Sequence, residues 1–238
     1  IPTTAATADV IISGEATGNG FGFYLASGDF NTDGKTDLAI TAEAYSATFI
    51  GRVYLFYNDG SYPTTAATAD VIIDGDVAGG YFGTTLVAGD FNADGRTDLA
   101  LRGLNPSNVG RVYLFYNDGS YPTTAATADV IITGEASSKF GYTLTTGDFN
   151  ADGKTDLAVG AYTYSSSTGR VYIFYNDGSY PTLATGADVI MTGQTTSNDF
   201  GSSLTAGDFN ADGKIDLAVG AYGYSSNAGR VYVFMTEA

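Results

Sequence analysis

Four segments of the chain carry oxygen side chains at a spacing that can do metal chemistry. They contain Asp29, Asn31, Asp33, Lys35 and Asp37; Asp90, Asn92, Asp94, Arg96 and Asp98; Asp148, Asn150, Asp152, Lys154 and Asp156; and Asp208, Asn210, Asp212, Lys214 and Asp216. Oxygen-bearing side chains stand at positions 1, 3, 5 and 9, a glycine at position 6, and a basic residue at position 7 that can offer its backbone carbonyl. In a tightly turning loop, alternate residues point inward and the glycine permits the sharp bend. An all-oxygen donor set with three carboxylates selects a hard cation, and a loop of this size suits calcium better than magnesium, zinc or copper. The expectation is four Ca2+ sites, one per loop. An EF-hand would need a bidentate Glu at position 12 between helices, but position 12 here is Ile40, Leu101, Val159 or Val219. Ordinary Asp-Asn-Gly turn chemistry would account for one such loop; four in register are a motif.

Composition narrows the chemistry further. The 238 residues include no His, Cys or Trp, which removes imidazole-dependent dyads and triads, thiol nucleophiles, disulfides and His/Cys zinc sites. Asp pairs could in principle serve glycoside hydrolysis. Here they recur fourfold as loop ligands, and no unique acidic cluster breaks the symmetry, so the expectation is a protein that is not an enzyme. The formal net charge is −16, a sign that repels nucleic-acid phosphates and anionic membranes. The loops hold 12 of the 26 acids, and four divalent ions would halve the imbalance. No apolar run reaches the roughly 18 residues of a membrane span. The chain begins at Ile1 without an initiator Met, and is read as a mature or excised segment.

The elements that must position these loops repeat about every 60 residues. Phe-Gly stands at Phe21, Phe82, Phe140 and Phe200, eight residues before each loop opens. Gly-Arg-Val-Tyr opens at Gly51, Gly110, Gly169 and Gly229, and Ala-Asp-Val-Ile (Ala-Asp-Val-Ile-Ile or -Met) opens at Ala8, Ala69, Ala128 and Ala187. The distance from the last loop Asp to Gly-Arg-Val-Tyr varies from 12 to 14 residues, which marks the variable connections, Thr41 to Ile50 and equivalents. Four short strand-type runs fall in each unit, as in Phe140–Leu144, Asp156–Val159, Arg170–Tyr175 and Asp188–Met191. No sustained helical period appears. The expected fold is all-β: four blades of four antiparallel strands repeated radially, a β-propeller. The whole chain forms a single repeat domain, with units at about 15–75, 76–134, 135–193 and 194–238. Residues 1–14 are expected to supply a closing strand, with Asp9–Ile12 pairing beside Arg230–Phe234 to remove an open edge.

Phe-Gly, the D-x-N-x-D-G-x-x-D loop and the following Asp-Leu-Ala-Val-Gly-Ala (Asp156 to Ala161, Asp216 to Ala221) resemble the FG-GAP repeats of integrin alpha-subunit propellers and related bacterial and fungal proteins. That resemblance covers essentially the whole chain. It implies that each acidic loop joins the first two strands of a blade and binds calcium at the positions given above. Three features depart from it. Tyr162 and Tyr222 replace the Pro of Gly-Ala-Pro, Thr41 to Tyr45 and Arg102 to Asn105 replace that motif in the first two units, and integrin-like propellers have seven blades.

Other residues have plainer expectations. Arg52, Arg111, Arg170 and Arg230 are placed to pair with Asp9, Asp70, Asp129 and Asp188 of adjacent fourth strands, as solvated cross-strand pairs in preference to an anion-binding ring. Tyr45, Tyr162, Tyr164, Tyr222 and Tyr224 fall in or beside the variable connections, where they either pack or present a sugar- or protein-binding surface. The Thr-rich segments at Pro2, Pro63 and Pro122 are solvated connectors or O-glycosylation sites. The sequence thus points to an extracellular or cell-surface, secreted adhesion or recognition module with a protein or glycan partner. The alternatives are a structural building block that self-associates into an oligomer, array or filament, and a lectin.

Overall fold

A computed structural model of the chain describes residues 4–237. It contains fifteen strands: β1 Phe21–Gly28, β2 Asp37–Ala42, β3 Arg52–Phe56, β4 Val71–Asp74, β5 Leu86–Gly89, β6 Asp98–Leu104, β7 Gly110–Phe115, β8 Val130–Thr133, β9 Thr143–Gly147, β10 Asp156–Ala161, β11 Arg170–Phe174, β12 Val189–Thr192, β13 Phe200–Gly207, β14 Asp216–Ala221 and β15 Arg230–Phe234. They form four antiparallel meanders in sequence order: sheet 1 (β1–β4), sheet 2 (β5–β8), sheet 3 (β9–β12) and the three-stranded sheet 4 (β13–β15). The register repeats, Leu157 facing Phe174 in sheet 3 as Leu217 faces Phe234 in sheet 4.

The third strand shows why these sequences choose β structure. In β11, Val171 and Ile173 face one side of the sheet and Tyr172 and Phe174 the other, and all four are buried. β-Branched and aromatic residues favour a pleated surface covered on both sides. Phe140 of the Phe-Gly pair meets the rings of Tyr172 and Phe174 edge-on, at centroid separations of 5.3 and 6.3 Å. The same arrangement recurs around Phe21, Phe82 and Phe200.

Burial on both faces follows because the sheets stack in series. Phe30, Val53, Leu55 and Ile73 of sheet 1 share one core with Leu86 and Leu101 of sheet 2. Phe91, Val112 and Ile132 of sheet 2 join Leu144 and Val159 of sheet 3, and Phe149, Val171 and Ile173 of sheet 3 join Leu217 and Val219 of sheet 4. Each junction is keyed by a backbone contact that leaves no room for a side chain. A Cβ at Gly51 would lie 2.1 Å from the carbonyl oxygen of Phe82, and one at Gly169 2.0 Å from that of Phe200.

Several expectations are corrected by the structure. Asp9–Ile12 forms no strand, and among the described residues β15 pairs only with β14, so the expected closure of the last blade by the N-terminal segment is not formed. Instead Ser13 makes a parallel bridge to Thr65 on the flank of sheet 1. The first strand of the third unit is Thr143–Gly147, later than Phe140–Leu144, because its pairing continues to Gly147 opposite Asp156. The Thr-rich connectors fold into one-turn 3-10 helices at Ala5–Thr7, Ala66–Thr68 and Ala125–Thr127, the last two capped by the Thr65 and Thr124 hydroxyls. Left-handed turns at Tyr164–Ser167 and Tyr224–Asn227, with Ser165, Ser166, Ser225 and Ser226 at φ between 49° and 58°, occupy two of the variable connections. Residues 1–3 of the expected closing segment lie outside the described residues.

Candidate functional site

Each acidic loop joins the first two strands of its sheet, and all four adopt one hydrogen-bond pattern. In the first, Asp29 accepts the N–H groups of Asp33 and Gly34 at 3.1 and 2.9 Å, Asn31 accepts Asp33 N–H at 3.0 Å, and Asp33 accepts Lys35 N–H at 2.9 Å. The equivalents repeat at Asp90–Arg96, Asp148–Lys154 and Asp208–Lys214. The turn places Thr32, Ala93, Ala151 and Ala211 at φ between 59° and 63°, a left-handed conformation that side chains resist. Strain of this kind persists only where surrounding bonds over-determine it, and the three acceptors per loop do so.

Position 9 is the anchor. Asp37, Asp98, Asp156 and Asp216 are buried at the head of the second strand. Each spends one carboxylate oxygen on the N–H of the loop phenylalanine and the other on the N–H just beyond the third strand. For Asp156 these are Phe149 at 2.8 Å and Asn176 at 2.9 Å; for Asp98, Phe91 at 2.8 Å and Asn117 at 2.7 Å. Burial pushes Asp98 and Asp156 up to about 6, with the accepted N–H bonds opposing the rise.

Three of the position 7 side chains, Lys35, Arg96 and Lys154, reach the end of the third strand. Lys35 Nζ donates to Asn58 O at 3.0 Å, Arg96 Nη1 to Asn117 O at 3.1 Å, and Lys154 Nζ to Asn176 O at 3.0 Å. Hydrogen bonding from Lys35 holds the exposed Asp33 carboxyl below its ordinary value.

As the side chains stand, the loop carboxylates turn to backbone N–H groups, and among the described residues no three acidic side chains gather into a metal-holding cluster. The donor chemistry nevertheless fits a hard cation. Each carboxylate oxygen has two lone pairs, so an oxygen bonded to one N–H keeps a second available. The set is all oxygen, and the loop's turn is already fixed without metal.

The opposite ends of the second strands carry a different surface. Tyr142 and Tyr162 meet at a centroid distance of 4.5 Å, and Tyr222 of the next sheet follows at 6.5 Å from Tyr162. Arg102 lies beneath them, nearly fully buried, with Nε on Phe140 O at 3.1 Å and Nη1 on Thr84 Oγ1 at 3.0 Å. Among the described residues it has no carboxylate partner. Burial lowers its affinity for the proton. Tyr142 was not singled out in the sequence, although Arg102 already departed from the repeat where Gly160 and Gly220 stand.

The remaining tyrosines pack. Tyr45, Tyr164 and Tyr224 cover the guanidinium groups of Arg52, Arg170 and Arg230 at 3.7, 3.7 and 3.6 Å, a cation–π contact. The expected pairing of those arginines with Asp9, Asp70, Asp129 and Asp188 does not form, although Arg52 does meet a fourth-strand aspartate, Asp74, directly across the ladder. Arg52 binds Glu15 and Asp74, Arg170 binds Glu135, and Arg230 donates to Gln194. Asp70, Asp129 and Asp188 instead accept the N–H of Tyr57, Tyr116 and Tyr175, because that N–H continues beyond the ladder and would otherwise lack a partner.

Comparison with known proteins agrees with this architecture. The FG-GAP repeat matches residues 140–174 and 200–234, and the FG-GAP-like repeat matches residues 29–101. Integrin alpha-PS5 of Drosophila melanogaster is 32% identical over 85% of this chain, and integrin alpha-IIb of Mus musculus 31% identical over 87%. The human phosphatidylinositol-glycan-specific phospholipase D is 32% identical over 59% of the chain. The aligned region spans 21%, 20% and 18% of those three relatives respectively, so the chain corresponds to about a fifth of each. No helix among the described residues is long and apolar enough to cross a membrane. Together the two repeat types match more than half of the sequence, and the chain belongs to the integrin-like FG-GAP repeat family.

Proposed function

We propose that the chain is a calcium-stabilised set of propeller blades that serves as a non-catalytic, extracellular recognition or adhesion module. The observation that carries this reading is the separation of two surfaces by the second strands. Four acidic loops of one hydrogen-bond pattern occupy one end of the sheets, and the tyrosine-lined face with Arg102 occupies the other.

Calcium would be held by positions 1, 3, 5 and 9 of each loop with the position 7 carbonyl, and would neutralise carboxylates that otherwise repel one another. The buried position 9 carboxylate ties the loop to the third strand, so an ion there would stiffen the sheet end from which the phenylalanine enters the next junction. At free calcium about 100-fold above the dissociation constant each site would add about 2.7 kcal/mol. The role of the ion in this reading is structural.

The ligand would meet the other face. Tyrosines supply broad contact area at little entropy cost, and an arginine without a carboxylate partner favours a ligand bearing an anionic group, on a protein or a glycan. The chain has neither imidazole nor thiol, and of the five buried carboxylates among the described residues four, Asp37, Asp98, Asp156 and Asp216, are engaged as loop anchors, Asp199 being the fifth, which supports binding over catalysis. The test is surface-immobilised protein and glycan arrays probed with the chain and with the Tyr162→Ala/Tyr222→Ala variant. A ligand bound by the first and lost by the second supports the reading; a ligand bound equally by both places recognition elsewhere.

A further inference from the structure

The three formed junctions define what each end of the stack lacks. On the side facing a preceding sheet, Leu86 and Leu144 are buried, whereas their counterpart Leu25 on sheet 1 is 56% exposed. On the side facing a following sheet, Phe30, Phe91 and Phe149 are buried, but Phe209 is 48% exposed. Val53, Val112 and Val171 are fully buried, and their counterpart Val231 on β15 is 67% exposed.

The N-terminal segment is already seated as a fourth strand would be. Ser13 bridges Thr65 in parallel as Asp74 at the end of β4 bridges Thr124 and Thr133 at the end of β8 bridges Leu183. Its N–H donates to Thr64 O at 2.9 Å, matching Asp74 to Thr123 O at 3.0 Å and Thr133 to Thr182 O at 2.9 Å. A Cβ at Gly14 would press on Phe21 at 2.6 Å, as one at Gly75 would press on Phe82 at 2.8 Å. Gly75 also meets the Ile50 carbonyl of its own sheet, at 2.0 Å from a built Cβ, and for Gly14 that neighbour is missing. Among the described residues sheet 4 lacks the complementary part: β15 has no fourth strand, and a Cβ built at Gly229 meets nothing closer than 3.8 Å, where one at Gly51 or Gly169 would run into the next phenylalanine.

We propose that two copies of the chain join head to tail, each lending Val10–Ser13 as the fourth strand of the other's sheet 4, to close a ring of eight blades. The register follows from β4, β8 and β12: Ser13 opposite Arg230, Ile12 opposite Val231, Ile11 opposite Tyr232, and Val10 opposite Val233 of the other copy. Asp9 then accepts the N–H of Met235, as Asp70, Asp129 and Asp188 accept theirs at 2.7–2.8 Å. Gly14 N–H reaches Gly229 O, as Gly75 reaches Gly51 O at 2.9 Å.

A second copy is favoured over closure within one chain because bringing sheets 1 and 4 together would open three junctions that are already packed and keyed. A pair supplies two further junctions of the same kind, buries both apolar flanks and covers the open edge of β15. The arrangement stands on the ends of the stack and is independent of the calcium reading.

The double variant Val10→Cys/Val233→Cys tests the pairing, since the chain has no other cysteine. Oxidation is expected to give a covalent species of twice the 24.6 kDa chain mass on a non-reducing gel. An oxidised monomer, showing closure within one chain, overturns the proposal. So does a ladder of higher species, showing an open polymer, or the absence of any cross-link. Sedimentation of the unmodified chain at micromolar concentration is expected to give the dimer mass, and Val231→Asp a monomer with an unchanged circular dichroism spectrum. A monomeric unmodified chain refutes the pairing whatever the cysteine variant does.

Discussion

Asp156→Asn removes the anchor of the third loop without changing its shape. The aspartate accepts two buried N–H groups, from Phe149 at 2.8 Å and Asn176 at 2.9 Å. Hydrogen bonds to a charged group are worth about 1.5–3 kcal/mol each, and a buried donor left unpaired costs about 1–3 kcal/mol. An asparagine can keep one bond as a weaker neutral one, but it turns its NH2 group toward the second N–H. The expected loss is about 3 kcal/mol, or about 1 M in the urea midpoint for a slope of about 3 kcal/mol/M. The measurement belongs in chelator, so that no metal contribution enters. Asp152→Asn is the control: its carboxylate accepts an exposed Lys154 N–H and faces Lys154 Nζ at 3.9 Å, contacts worth under about 1 kcal/mol. Equal midpoints for Asp156→Asn and the unmodified chain would refute the anchor argument. A loss at Asp152→Asn as large as at Asp156→Asn would do the same.

Three further expectations follow from the geometry. Gly169→Ala, which would drive a Cβ to 2.0 Å from Phe200 O at φ +80°, should lower the melting temperature far more than Gly79→Ala, at φ +70° with nothing within 4 Å of the added Cβ. For Gly79→Ala only the left-handed strain of about 1–2 kcal/mol remains, and equal shifts would disprove the keyed junction. In chelator, burial raises Asp98 and Asp156 to about 6, so their contribution is full below the unfolded value near 4 and is lost as pH rises through 6. Denaturation from pH 4 to 7 should show Asp98→Asn/Asp156→Asn with a shallower fall than the unmodified chain; parallel curves would contradict it. Arg102→Gln should abolish binding of an anionic ligand at the tyrosine-lined face while leaving calcium uptake intact, checked by titration calorimetry with each.

The repeat, the strand order and the loop positions were all legible in the sequence because each rests on local pattern: alternation in Arg170–Phe174, turn chemistry at Gly153, and the fixed eight residues from Phe140 to Asp148. The contacts that local pattern does not reveal are tertiary. Arg52 pairs with Glu15 and with Asp74 at the end of β4, Arg170 pairs with Glu135, and tyrosines cover both, because Asp70 and its equivalents cap an N–H beyond the ladder. Closure rested on end motifs of matching type, and local pattern does not reveal that Ser13 is held on sheet 1, where it bridges Thr65. Arg102 was visible as a break in the repeat, but its burial beneath Tyr142 and Tyr162 depends on the junction between sheets 2 and 3.

Calcium occupancy of the four loops is the claim on which the functional reading turns. Equilibrium dialysis with calcium alone, followed by thermal melting of the same samples in calcium and in chelator, tests it directly. The account predicts four ions per chain and a melting temperature raised by more than about 20 °C, from four sites each adding about 2.7 kcal/mol to a chain whose midpoint moves about 2–4 °C per kcal/mol. No uptake at millimolar calcium, with the same melting temperature in both solutions, would contradict it.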